Sequence, residues 1–108
     1  MLERKYRLLV PISKTAQLFS TPQFSLRVSK NGESVSRFGF IVSKKIDKRA
    51  VVRNRVKRLL RRVIEENIKK IAAGYDFLFI IRSEIIGKDL GEISITVLDL
   101  LKKEKLYD

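Results

Sequence analysis

From residue 23 to residue 29 the chain alternates, with Phe24, Leu26 and Val28 apolar and Ser25 and Arg27 polar between them. A period of two predicts a strand with one buried face. Asn31-Gly32 follows and predicts a turn, because both residues tolerate positive φ. Residues 37–44 (RFGFIVSK) predict a second strand, with Phe38, Phe40 and Val42 on one face. Arg37, Gly39, Ile41 and Ser43 take the other, which reads as an open surface that something lies against. Then the period changes. Val52, Val56, Leu59, Leu60 and Val63 fall into one stripe at about 100° per residue, which predicts a helix over residues 51–73. Gly74 suits its end. Residues 76–82 (DFLFIIR) hold five consecutive apolar residues and predict a buried central strand. Leu90, Ile93, Val97, Leu98 and Leu101 recur at helical spacing and predict a closing helix over residues 88–105, although its β-branched residues oppose it locally. Ahead of the first strand, residues 12–20 (ISKTAQLFS) predict a short helix. Ser13 would be its N-cap, Ala16 and Phe19 would face the core, and Thr21-Pro22 would stop it.

The predicted order is helix, strand, strand, helix, strand, helix, with room for an additional short strand. That is an α/β (α+β) two-layer sandwich. A strand, a crossover helix and a strand suggest parallel pairing of residues 37–44 with 76–82. The chain's 108 residues allow one domain over residues 1–108, with a modest core.

Charge changes the picture. The net charge is +12, and it is concentrated. Residues 44–62 carry ten Lys/Arg against one acid, Asp47, for +9; the rest carry fourteen against eleven, for +3. On the helix, Arg55, Arg58, Arg61 and Arg62 fall opposite the apolar stripe, with Arg53 and Lys57 on the flank. An ordinary solvated face interleaves glutamates at i±4, yet residues 48–64 hold no acid. Unpaired like charges destabilise a helix, so a polyanionic partner is expected to offset them. Arginine predominates, and its planar fork grips phosphate and stacks on bases. Asn54 adds both donors and acceptors for a sugar hydroxyl or a base edge. Lys44, Lys45 and Lys48 precede the helix and extend the cationic surface. An interfacial membrane helix is disfavoured, because the stripe lacks Trp and Phe and the core needs its aliphatics. Nucleic acid is the expected partner.

Candidate catalytic chemistry is sparse. The chain has no cysteine and no histidine, which removes thiolate nucleophiles, the commonest general base and the commonest metal ligand. Asp47, Glu65 and Glu66 form no convincing active-site constellation. The start of the chain carries only a short apolar run, and no segment reaches the roughly 18 apolar residues of a membrane span. A cytoplasmic protein is expected.

The run RFGFIVSKK, followed by AVVRNRVKRLLR and then GYDFLFIIR, resembles the bacterial ribonuclease P protein component over residues 6–107. The RNR signature falls on Arg53-Asn54-Arg55. The resemblance implies a non-catalytic protein subunit of a ribonucleoprotein endoribonuclease. Its partners would be the catalytic RNA and precursor tRNA, whose 5′ leader is removed to give the mature end. The chemistry would belong to the RNA and to Mg2+ held mainly by that RNA, with no metal site on the protein, which would be a monomer within the ribonucleoprotein. The resemblance implies a left-handed crossover between the parallel strands, an exception to the usual rule. It assigns Arg53, Asn54, Arg55, Lys57, Arg58, Arg61 and Arg62, with Lys44, Lys45 and Lys48, to RNA contact. It assigns Phe19, Arg27, Arg37 and Ser43 to the leader cleft. Two positions depart from the family: Thr15 stands near an expected aromatic, and Arg27 replaces a frequent tyrosine. A structural RNA-binding protein of ribosomal type and a protein-only nuclease are the competing readings. The first separates by its RNA partner, and the second would need an acidic magnesium cluster.

Overall fold

The computed structural model describes residues 2–9 and 11–108; Met1 and Val10, the latter part of the short apolar run near the start, lie outside them. Four strands, β1 (Gln17–Ser20), β2 (Phe24–Lys30), β3 (Arg37–Ile41) and β4 (Tyr75–Ile81), form one sheet in the order β1-β2-β4-β3. Helix α1 (Ala50–Asn67) joins β3 to β4, and α2 (Leu90–Lys103) follows β4. β3 and β4 pair in parallel, with Phe38 opposite Phe77 and Phe40 opposite Phe79. β2 runs antiparallel to β4, and β1 antiparallel to β2.

The period-two pattern decides which face is covered. Phe24, Leu26 and Val28 of β2, Phe38 of β3, and Phe77, Phe79 and Ile81 of β4 are buried. They share one core with Val56, Leu60, Val63 and Ile64 of α1 and Ile93, Val97, Leu100 and Leu101 of α2. Aromatic contacts cross the strands: Phe38 stacks on Phe77 at 5.0 Å between ring centroids, and Phe24 meets Phe79 edge-on at 5.2 Å. The opposite face carries Ser25, Arg27, Arg37, Gly39, Ile41, Asp76, Leu78 and Ile80, and among the described residues neither α1 nor α2 packs on it. Leu78 and Ile80 are half-buried. The apolar run of β4 therefore belongs to a central strand with one open side. At Gly39 an added Cβ would lie 3.2 Å from Leu78 Cδ1 and 3.3 Å from Leu8 Cβ. The glycine lets the N-terminal segment lie close beside β3, where Leu8 N–H donates to Phe38 O.

Two local expectations are corrected. Residues 12–20 do not form a helix. Ala16 N–H donates to Ser13 O and Thr15 N–H to Ser13 Oγ, so Ser13 organises a turn and caps nothing. Residues 17–20 then pair with 25–28 as the additional short strand. Thr21-Pro22 closes this hairpin: Thr21 Oγ1 accepts from Phe24 N–H at 3.0 Å and donates to Phe24 O at 2.9 Å. Nonlocal backbone pairing here overrides a weak local helix signal. The second correction is the end of α1, at Asn67 rather than residue 73. The C-terminal tail takes the backbone beyond it: Ala72 N–H donates to Leu106 O, and Asp108 N–H to Lys70 O. Asn67 anchors the junction, donating to Val63 O and accepting from the Tyr107 hydroxyl. Gly74, at φ +86°, serves the turn into β4.

At α2 the β-branched residues are offset by a capping box, in which Asp89 Oδ1 accepts from Glu92 N–H at 2.9 Å.

Candidate nucleic-acid interface

Because Val56, Leu60, Val63 and Ile64 point inward, the 3.6-residue repeat turns Asn54, Arg55, Arg58 and Arg62 outward, where they are exposed. Lys57 and Arg61 are half-buried along the flanks. Among the described residues, the side chains of Lys57, Arg58 and Arg61 make no hydrogen bond or ion pair. Arg55 reaches only Lys88 O, at 3.4 Å. Arg62 alone of this set has a carboxylate partner, Glu66 at 3.2 Å, and both side chains are more than half exposed. Such a pair is worth roughly 0.3–0.5 kcal/mol, so it leaves Arg62 available.

The segment between β3 and α1 adds Lys44, Lys45 and Lys48, all exposed, and Ser43 beside them. It leads into a helix start with no acidic residue in the first turn and no side-chain cap. Cations at that end oppose the helix dipole, whose positive pole favours anions. The surface thus concentrates unpaired positive charge at the positive end of the helix, and a polyanion would relieve it. Phosphates would meet free guanidinium forks, ammonium groups and the uncapped backbone N–H groups together.

Arg53 is placed differently. It is half-buried, and its Nη1 donates to Asp47 O at 2.9 Å and to Lys48 O at 2.8 Å. The first arginine of the RNR run is a clasp on the preceding loop. Asp47, absent from the sequence-derived site, accepts from Arg49 N–H, Nε and Nη2 at 2.9, 3.1 and 2.9 Å. The Arg49 side chain, foremost through its hydrogen bond, holds the Asp47 carboxyl down at about 2. A lone acid within a dense cationic run was the available signal for this role, but its partner was not readable.

Of the four residues expected to line a leader cleft, Arg27 and Arg37 share the open sheet face, whereas Phe19 does not. Arg27 lies on the open sheet face, opposite Leu78 and Leu18, the latter 62% exposed. Arg37 shares that face, but its Nε and Nη2 bind Asp76 Oδ1 and Oδ2 at 2.8 and 2.9 Å. That pairing raises the Arg37 pKa. Phe19 is set opposite Leu26 by the β1–β2 register, so it falls on the helix-packed face. There it borders a separate groove of about 440 Å³ with Gln17, Lys30 and Tyr75. The open face gains Arg82 instead, whose Nη2 donates to Ser25 Oγ at 2.9 Å.

Comparison with known proteins places these features in a family. The ribonuclease P family model matches residues 4–105. The chain is 41% identical over 98 residues to the ribonuclease P protein component of Clostridium kluyveri, covering 89% of this chain and 87% of that protein. It is 36% identical over 106 residues to that of a Clostridium botulinum strain, covering 97% and 95%. Among solved structures, the ribonuclease P protein of Staphylococcus aureus superimposes with a TM-score of 0.84 at 26% identity, covering 95% of this chain and 98% of that one. That of Thermotoga maritima gives 0.77 at 29% identity, covering 83% and 84%.

Proposed function

The chain belongs to the bacterial ribonuclease P protein family, and on that premise we propose that α1 and the 43–49 loop bind the catalytic RNA of ribonuclease P. The complex removes the 5′ leader of precursor tRNA. The observation that carries this reading is the outward pair Arg55 and Arg58 with Arg61 on the flank, none of which has a carboxylate partner among the described residues. Arg58, Arg61, Arg62 and Lys57 bind backbone phosphates. Asn54 supplies a donor and an acceptor at the N-terminal end of the row. Lys44, Lys45 and Lys48 continue the contact off the end of the helix.

The single-stranded leader lies on the open sheet face. Leu18, Leu78 and Ile80 offer apolar area to unstacked bases, and Arg27 stacks on a base or holds a phosphate. Ser43 stands where this face meets the lysine loop. Arg37 contributes through the N–H groups that Asp76 leaves unused. Phe19 is not part of this assignment.

Hydrolysis is assigned to the RNA and to the magnesium it holds. Among the described residues no group of three or more Asp, Glu, His or Cys is placed to hold a metal ion. In this reading the protein's part is electrostatic and positional. The same proposal makes the protein a monomer within a cytoplasmic ribonucleoprotein. Among the described residues no helix is long and apolar enough to cross a membrane.

The test is reconstitution. Added to its cognate catalytic RNA at low magnesium, the protein is expected to restore cleavage of precursor tRNA at the mature 5′ end. No stimulation under any salt condition overturns the proposal. Cleavage by the protein without the RNA would move the chemistry onto the protein.

A further inference from the structure

Asp47 is the one acid within residues 44–62, in the middle of the surface assigned to RNA. By charge alone it opposes a polyanion, so its place there calls for a structural reason. Its side chain is 14% exposed, whereas that of Arg49 is 70% exposed. The carboxylate is therefore tucked under the guanidinium, which stands between it and solvent. Asp47 takes the Nε and Nη2 edge of Arg49 and also the Arg49 backbone N–H. Two of the five guanidinium N–H donors are used, and those on the far edge remain to be presented outward. Arg53 completes the arrangement from the helix side by donating to the carbonyls of Asp47 and Lys48. Ile46 N–H donates to Ser43 O, and the half-buried Ile46 side chain packs against the core. The loop bearing Lys44, Lys45 and Lys48 is thus fixed at both ends.

We propose that Asp47 is a positioning residue for RNA binding: acting through Arg49, and together with the Arg53 clasp, it holds the 43–49 loop and the Arg49 fork in the form that meets phosphate. The inference rests on the RNA-binding reading given above. Its physical basis is preorganisation. A long cationic side chain and a loop that are already ordered lose less freedom on binding than mobile ones. That gain outweighs the repulsion of one carboxylate that is already paired with Arg49 at 2.9 Å.

The two effects have opposite signs, so one substitution separates them. Asp47→Asn removes a negative charge from a polyanion-binding surface. If charge alone mattered, the variant would bind RNA more tightly. The positioning role makes it bind more weakly, by about 2- to 12-fold, the range for one rotamer-rich side chain that must be ordered on binding. The experiment measures affinity of wild type, Asp47→Asn, Arg49→Ala and the double variant for the cognate ribonuclease P RNA over a range of salt. Thermal unfolding of each protein verifies that it is folded. In the Arg49→Ala background, Asp47→Asn is expected to lose its penalty and to tighten binding, an inversion that a general loss of stability does not produce. Wild type that binds while Asp47→Asn binds equally or more tightly overturns the positioning role and leaves the RNA-binding reading standing. The same penalty with and without Arg49 also overturns it. Wild type that fails to bind overturns both.

Discussion

Arg37 and Asp76 face each other edge to edge across the parallel β3–β4 pair, Nε to Oδ1 at 2.8 Å and Nη2 to Oδ2 at 2.9 Å. Asn31 Nδ2 donates to the same Oδ1 at 3.0 Å, so the carboxylate also secures the β2–β3 turn. Asp76 is 6% exposed and the Arg37 side chain 27%. A carboxylate so enclosed needs these partners.

Asp76→Ala is accordingly expected to destabilise the fold by about 1.5–3 kcal/mol, the range for hydrogen bonds to a charged group. Arg37→Ala should cost a comparable amount. Urea unfolding of both single variants and the double variant checks this. The double variant should lose clearly less than the sum, and simple additivity would show that the pair is not coupled.

Leu60 and Arg58 lie on opposite sides of α1 and should fail in opposite ways. Leu60 is fully buried, so Leu60→Ala opens a core cavity and costs roughly 2–5 kcal/mol in a denaturant titration. Arg58→Ala should leave the unfolding midpoint within about 0.5 kcal/mol of wild type. It should instead weaken binding to the catalytic RNA and lower the slope of log affinity against log salt by about 0.7–0.9. An unchanged slope would remove Arg58 from the phosphate contacts.

The Asp47 carboxyl gives a pH signature in the free protein. Its pKa is held at about 2 by hydrogen bonds from Arg49, with the charge of Arg53 adding to the effect. In the unfolded chain an aspartate titrates near 3.9, or about 4. A folded pKa below the unfolded one means that the contribution is complete above about pH 4 and fades as pH falls toward about 2. The stability difference between wild type and Asp47→Asn should be flat at neutral pH and shrink across that interval. A difference that stayed constant through it would mean that Asp47 is not held by Arg49 in solution.

Ser36, just ahead of β3, ties the start of that strand to the entry into β4. Its hydroxyl donates to Ala72 O at 2.6 Å and accepts from Tyr75 N–H at 3.0 Å, and the residue is 5% exposed. Ser36→Ala strands both backbone groups and is expected to cost about 1–3 kcal/mol by thermal or urea unfolding. A neutral result would mean that water replaces the hydroxyl.

Much of this arrangement was legible in local pattern. Alternation at Phe24–Val28 placed β2 and its buried face, and the stripe from Val52 to Val63 oriented α1 so that Arg58 and Arg61 had to face outward. Those properties repeat every two or 3.6 residues, so a short window contains them. What the window could not contain was decided by partners distant in sequence. Residues 17–20 became a strand because β2 offered an unpaired edge, and that pairing turned Phe19 away from Arg27. α1 stopped at Asn67 because Leu106, Tyr107 and Asp108 claimed the backbone that would have continued it. Arg53 and Arg58 look alike as letters in a cationic run. Only the path of the 43–49 loop puts carbonyls within reach of Arg53 and leaves Arg58 without a partner among the described residues, because a hydrogen bond needs its acceptor within about 3 Å and side-chain periodicity carries no such distance.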